Sequence, residues 1–245
     1  MRQSWSRYMY NHIGSFATSS EAFAKALFFG GVLHRFPTLH FAFLECGVGW
    51  GVQLLADLID RWSKRGGKHI DALDPAGVDA GRWDALVREY GGDAFAAADV
   101  RRATFAQSDN PPLERDDFRE AGVESEDDIV ALFDRFFFGC EADDASIPLA
   151  FSRATNPRGA VLQPVIGSDL GHWDVSDMRE VIPEACELLD EGRVSPGDFR
   201  RFTCTNPIRL HAGMNPRFFD GTPIAAEARA VLDSRAARAV DGQGG

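Results

Sequence analysis

The chain has 245 residues, of which 44% are hydrophobic and 26% are charged, which is typical of a globular protein and not of a disordered one. Its formal net charge of −11 argues against a nucleic-acid or anionic-membrane partner, because phosphate binding needs clustered Lys and Arg. The four cysteines form no CxxC pair, which disfavours a disulfide scaffold or a zinc ribbon.

The sequence has no pattern that directs it to a membrane or out of the cell. Its first residues lack the apolar core of a signal peptide, and its longest apolar stretch is too short to span a bilayer. We therefore expect a cytoplasmic protein whose partner is a small-molecule substrate. The sequence leaves open whether the chain forms a homo-oligomer.

The first predicted elements alternate between helix and strand. Residues 20–35 have apolar side chains at the i, i+3, i+4, i+7 spacing of a helix with one buried face. A short apolar run at residues 40–45 predicts a strand that is buried on both faces, as in parallel sheets. The next apolar side, from Trp50 to Trp62, predicts a second helix that ends near residue 65.

Residues 66–125 differ from the segments on either side of them. They are rich in Gly, Asp and Pro and contain no run typical of a strand. Helices are predicted near residues 83–90 and 94–105. We interpret this stretch as a helical insertion and not as a separate domain.

The alternation resumes after residue 125. Ser125 and Asp128 have the spacing of a capping box, which predicts a helix through residue 133. The remaining elements are strands at 136–140 and 162–168, and helices at 144–153, 176–189, 195–202 and 206–210. We expect residues 1–220 to form one domain and residues 221–245 to form a flexible tail.

The resulting order is an α/β pattern with about three parallel strands. Three strands cannot close a barrel, which needs about eight. The pattern is therefore that of a small open sheet or of one part of a barrel.

An acidic residue follows the third predicted strand directly. Asp169 comes after the run that ends at Ser168, and His172 lies three residues further on. The carboxyl ends of parallel strands are where α/β proteins build their sites, and a carboxylate there can bind a metal ion. The alternative is that Asp169 caps the next helix and that His172 is an ordinary loop residue.

Glu45 has the same position after the first predicted strand, and Trp50 follows a glycine-containing turn. Glu45 is a candidate for proton transfer and Trp50 for an apolar wall against substrate. His12, near Gly14, is a third candidate, as a metal ligand, a substrate contact or an acid–base group. The alternatives are a structural ion pair for Glu45, a tight turn at the glycines, and a structural hydrogen bond for His12.

Three segments resemble the amidohydrolase-related family, which includes aminocarboxymuconate-semialdehyde decarboxylase and related nonoxidative decarboxylases. Residues 26–50 are similar to the helix and sixth strand of that family's barrel. Residues 167–172 (Gly-Ser-Asp-Leu-Gly-His) resemble its eighth-strand motif, and residues 206–210 (Asn-Pro-Ile-Arg-Leu) resemble its closing helix. The three motifs occur in the order that the family has.

The resemblance implies a (β/α)8 TIM barrel that binds one divalent metal ion, often zinc, and activates water. It assigns Asp169 as a metal ligand or proton-handling group, Glu45 to a catalytic position, and His172 to a place near substrate. The family's first-strand HxH pair has no counterpart here. We therefore expect strands six to eight of a barrel, with the N-terminal half of the barrel absent and the metal site incomplete.

Three functions are compatible with this resemblance. The first is a metal-dependent hydrolase, with Asp169, Glu45 and His172 as catalytic residues and His12 and Trp50 as substrate contacts. The second is a carboxy-lyase that acts on an aromatic or unsaturated carboxylate. The third is a non-catalytic remnant or subunit, which belongs to a different class of protein.

Overall fold

A computed structural model describes residues 7–73, 77–92, 95 and 116–241. The elements before residue 92 are α1 (Tyr8–His12), α2 (Ser15–Phe29), α3 (Val32–Arg35), β1 (Phe41–Phe43), α4 (Gly49–Arg65), a 3-10 segment (Gly67–Leu73) and α5 (Ala80–Tyr90). Those after residue 116 are α6 (Asp117–Glu120), α7 (Glu126–Phe133), β2 (Phe136–Cys140), α8 (Ile147–Phe151), a 3-10 segment (Pro157–Gly159), β3 (Gln163–Ile166), α9 (Val181–Asp190), α10 (Pro196–Arg200), a π-helical turn (Arg201–Thr205), α11 (Asn206–Ala212) and α12 (Ala225–Asp241).

The described strands form one parallel sheet in the order β1-β2-β3. Phe41 is paired with Phe136, and Phe137 is paired with Gln163. Helical segments separate successive strands, as parallel connections require. The α/β class predicted from the sequence is confirmed.

Strand β2 is the centre of the core. Phe136, Phe137 and Phe138 are all fully buried. Because successive strand residues point to opposite faces, Phe136 and Phe138 belong to the main core with α2, α4 and α7. Phe137 packs instead with Val165 and Leu210.

Helix α4 lies unusually close to β2 because residue 51 has no side chain. A Cβ atom on Gly51 would lie 2.3 Å from Cε1 of Phe138. The ring of Trp50 packs edge-on against Phe43 and Phe138, with ring centroids 5.2 Å apart in both pairs. The start of α4 is therefore held against the ends of two strands, where the predicted site lies.

The helix predicted at residues 20–35 is wrong in its bounds. The structure has two helices there, α2 and α3, with a break at Gly30 and Gly31. Gly31 has φ 65°, and a Cβ atom at this position would lie 2.7 Å from the carbonyl oxygen of Glu120. The break lets the chain pass closely by the end of α6.

Most of the stretch at residues 221–245, for which the sequence predicts a flexible tail, is helical in the structure. Residues Ala225–Asp241 form α12, and Ala228 and Val231 are buried against Ile208 and Ala212 of α11. The longest described helices, α4 and α12, have 17 residues each. None of the helices in the described ranges is long and apolar enough to cross a bilayer.

The other predicted helices differ mainly at their ends. The capping box of Ser125 and Asp128 is confirmed at the start of α7. The helices predicted at 195–202 and 206–210 are joined by the π-helical turn, because Pro207 has no N–H to continue the regular hydrogen-bond ladder. The helix predicted at 94–105 lies, apart from residue 95, outside the described residues.

Helix α11 covers the outer edge of β3. The amide of Gly167 donates to the carbonyl of Cys140 in β2. Since alternate residues of a parallel strand bond to the same neighbour, the carbonyl of Pro164 points away from β2. The fully buried Asn206 donates from Nδ2 to this carbonyl at 2.8 Å. Pro164 itself has no amide N–H that would need a partner at the edge.

A polar network lies at the amino ends of β2 and β3. Nη2 of Arg209 donates to Asp134 at 2.9 Å, and its Nη1 donates to Gln163 at 2.8 Å. Nε2 of Gln163 donates to the other carboxylate oxygen of Asp134 at 2.7 Å. These three side chains connect the starts of β2 and β3 to α11.

We expect Asn206→Ala to lower the free energy of unfolding by about 1–3 kcal/mol, because the buried carbonyl of Pro164 loses its donor. Glu187→Ala, at an exposed position of α9, is the control and should change stability by less than about 0.5 kcal/mol. Urea denaturation followed by circular dichroism measures both. Equal stability of the two variants would contradict this role for Asn206.

Candidate functional site

Acidic residues follow the strands at the carboxyl end of the sheet. Glu45 follows β1 and Asp169 follows β3, as the sequence predicts. Both have a positive φ, 58° for Glu45 and 49° for Asp169. Among the described residues, Arg158 is the one other non-glycine residue with a positive φ. Such conformations cost about 1–3 kcal/mol each and cluster at functional sites.

Glu45, Asp169 and His172 form a compact group of potential metal ligands. One ligand atom from each residue lies within 4.8 Å of the others. Nδ1 of His172 is 2.7 Å from Oδ1 and 2.8 Å from Oδ2 of Asp169. The Asp169 side chain is 20% exposed and that of His172 is 56% exposed, so the group is open to solvent and to a ligand. Two carboxylates and an imidazole are a donor set suited to zinc or manganese.

The other predicted residues line a cavity beside this group. His12, Glu45 and Trp50 all border a cavity of about 570 Å³. Phe16 adds a second aromatic side chain, and its ring packs edge-on against that of His12 at 5.9 Å. Asp169 borders a neighbouring cavity of about 300 Å³. Glu45 thus belongs both to the first cavity and to the potential metal ligands.

Sequence reasoning missed the acidic residues that follow β2. Glu141 and Asp143 line both cavities, and Asp144 lines the first. Burial raises the pKa of Glu141, and the neighbouring carboxylates of Asp143 and Asp169 raise it further. The sequence contained the signal, since these residues follow a predicted strand in the same way as Glu45 and Asp169.

The two cysteines near the site are protonated thiols at neutral pH. Cys46 lines the first cavity, and burial raises its pKa. Burial raises the pKa of Cys140 far more, and Asp144 adds to the shift. A thiolate is the form of cysteine that ligates metals and attacks substrates. The compact group of potential ligands described above consists of two carboxylates and an imidazole and includes neither cysteine.

No family model, no curated protein and no solved structure matches this chain. The resemblance to the amidohydrolase-related family therefore stays a prediction. Function has to be inferred from the residues at the edge of the sheet and from their chemistry.

Asp169 controls the protonation of His172. The hydrogen bond and charge of Asp169 raise the pKa of His172, and Glu45 and Asp174 add smaller effects. Because the pKa of the folded state lies above the ordinary value, the stabilisation from this pair is fully present below the ordinary value. It is lost as the pH rises through the raised pKa.

We expect the ring of His172 to titrate in the wild-type protein above its ordinary pKa of about 6.5. Asp169→Asn removes the negative charge and should return the pKa of His172 towards that value. Asp60→Asn, on the C-terminal half of α4, is the control and should leave it unchanged. NMR titration of the histidine ring protons measures all three proteins. An equal pKa in the wild type and Asp169→Asn would show that the pair does not form.

Proposed function

We propose that this chain carries the site of a metal-dependent hydrolase that acts on a small molecule. The observation that carries the proposal is the convergence of Glu45, Asp169 and His172, with ligand atoms within 4.8 Å of one another at the carboxyl ends of parallel strands. The carboxyl ends of the strands are where parallel α/β folds have their catalytic sites. The aromatic cavity beside the group offers room for a substrate.

Glu45, Asp169 and His172 are the residues that would hold a divalent ion. When bound, such an ion supplies Lewis-acid activation of water and of a carbonyl oxygen. Asp169 orients the ring of His172 through Nδ1. A neutral ring that donates from Nδ1 keeps the lone pair of Nε2, which is the atom that would bind the ion. Trp50 and His12 would position the substrate against Glu45.

We further propose that the three strands correspond to consecutive strands of a (β/α)8 barrel. Their spatial order follows the chain order, β1-β2-β3. Sequential order is what a barrel requires, whereas a doubly wound sheet reverses direction at a switch point. Acidic residues after each of the three strands also fit a site built at one end of a barrel.

The charge of the cavity favours the hydrolase over the carboxy-lyase. Among the described residues that line the first cavity, none is Lys or Arg, while Glu141, Asp143 and Asp144 are acidic. A divalent ion would offset the charges of Glu45 and Asp169 but not those three. A substrate carboxylate would be repelled, so a neutral or cationic amide or ester is the better substrate.

Metal content separates the proposed hydrolase from a non-catalytic remnant. We expect the purified wild-type protein, after incubation with zinc and dialysis, to retain close to one ion per chain by plasma mass spectrometry. Asp169→Ala should lower the affinity for zinc by about tenfold or more, so that less zinc remains bound after dialysis. Asp60→Ala, which removes an exposed carboxylate on α4, should retain metal like the wild type. Wild-type protein without metal, or equal content in all three proteins, would favour the remnant.

Substrate charge separates the hydrolase from the carboxy-lyase. The test uses two aryl amides that differ only in a carboxylate group. We expect kcat/KM for the neutral compound to exceed that for the carboxylated compound by about tenfold or more, because Glu141, Asp143 and Asp144 repel the carboxylate. In the double variant Glu141→Gln, Asp143→Asn, the kcat/KM values for the two compounds should be closer to each other. Release of carbon dioxide from the carboxylated compound, or equal rates on the pair, would contradict the proposal.

A further inference from the structure

A third cavity, of about 830 Å³, lies at the opposite end of the sheet from Glu45 and Asp169. Gln163 and Asp134, at the starts of β3 and β2, form part of its lining together with residues of α10, the π-helical turn, α11 and α12. It shares no described lining residue with the two cavities near Glu45 and Asp169. Its volume is in the range of small-molecule sites.

The described lining of this cavity is rich in arginine. It contains two carboxylates, of Asp134 and Glu227, against five arginines. These are Arg153, Arg158, Arg200, Arg201 and Arg209. Carboxylates outside the described lining pair with two of them, Asp127 and Glu126 with Arg158, and Asp198 with Arg201.

Protein acceptors hold these arginines in place. Arg209 is fixed by Asp134 and Gln163, and Arg200 by Glu227. A guanidinium group has five N–H donors. One or two contacts to an acceptor therefore orient the group.

Arg153 has no carboxylate partner among the described residues, whereas Arg158 is paired with Asp127 and Glu126. Nη1 of Arg153 donates to the carbonyl oxygen of Gly159 at 3.1 Å, a neutral acceptor that does not cancel the charge. Arg158 bonds to Asp127, which lies outside the described lining, at 2.7 Å from Nη2 and 3.0 Å from Nε. Arg158 also has a positive φ of 58° in the turn before Gly159. Arg153 and Arg158 both line this cavity.

We propose that this cavity binds a small molecule that carries a phosphate or pyrophosphate group. Phosphate oxygens match the planar donor array of guanidinium groups, and several arginines around one cavity suit an anion with more than one charge. Val130, Ala160 and Val161 supply apolar wall for the rest of the ligand. The site is separate from the proposed metal site, so it has a binding or regulatory role and not a catalytic one.

Calorimetric titration of the full chain with inorganic pyrophosphate at low salt tests the proposal. We expect saturable binding to the wild type that weakens as salt is raised. Arg153→Gln and Arg158→Gln, alone and together, should each weaken it by about tenfold or more. Both side chains are on the surface, so the variants should fold, and equal melting temperatures without ligand check this.

Arg179→Gln is the matched control, because Arg179 is an exposed arginine paired with Asp177, outside the described lining of this cavity. It should bind pyrophosphate like the wild type, and citrate should bind the wild type more weakly than pyrophosphate does. The proposal is overturned if pyrophosphate does not bind, if Arg179→Gln loses affinity as much as the cavity variants, or if citrate binds equally well. None of these results depends on metal binding or hydrolysis.

Discussion

Strand β2 lies between its two neighbours with Phe136, Phe137 and Phe138 removed from solvent, and the other elements are arranged around that burial. Each buried phenylalanine contributes about 1.5–3 kcal/mol relative to an exposed one. Helices α2, α4 and α7 cover one face, and Leu210 of α11 contacts the other. This packing orients all three strands, and it therefore places their acidic residues close together at the carboxyl ends.

The two ends of the sheet have opposite chemical character. At the carboxyl ends, Glu45, Glu141 and Asp169 give an acidic surface. At the amino ends, the arginines around Gln163 give a surface that suits an anion. Parallel strands make this separation possible, because all their carboxyl ends lie together and all their amino ends lie together.

The sequence predicted the elements that depend on local pattern. The Phe-rich run of β2, the capping box of Ser125 and the acids after β1 and β3 could all be recognised from spacing alone. The break at Gly31 depends on the approach of Glu120, which lies far away in the sequence. Helix α12 depends on burial of Ala228 and Val231 against α11, which a run rich in Ala and Arg does not indicate.

The site was partly predictable for the same reason. Glu45, Asp169 and His172 could be named because each stands at or just after the end of a strand, but their proximity required the pairing order of the sheet. The arginine-lined cavity could not be predicted, because its described lining residues are spread from residue 130 to residue 234. No spacing in the sequence brings such residues together.

The left-handed backbone at Glu45 and Asp169 makes stability and function compete at the same two positions. Glycine adopts this conformation without steric cost, so either residue could be exchanged for glycine with little loss of stability, or even a gain. The exchange would remove a carboxylate from the edge of the sheet. In laboratory evolution under heat selection alone, glycine should therefore accumulate at these positions, whereas selection for activity should retain the acids.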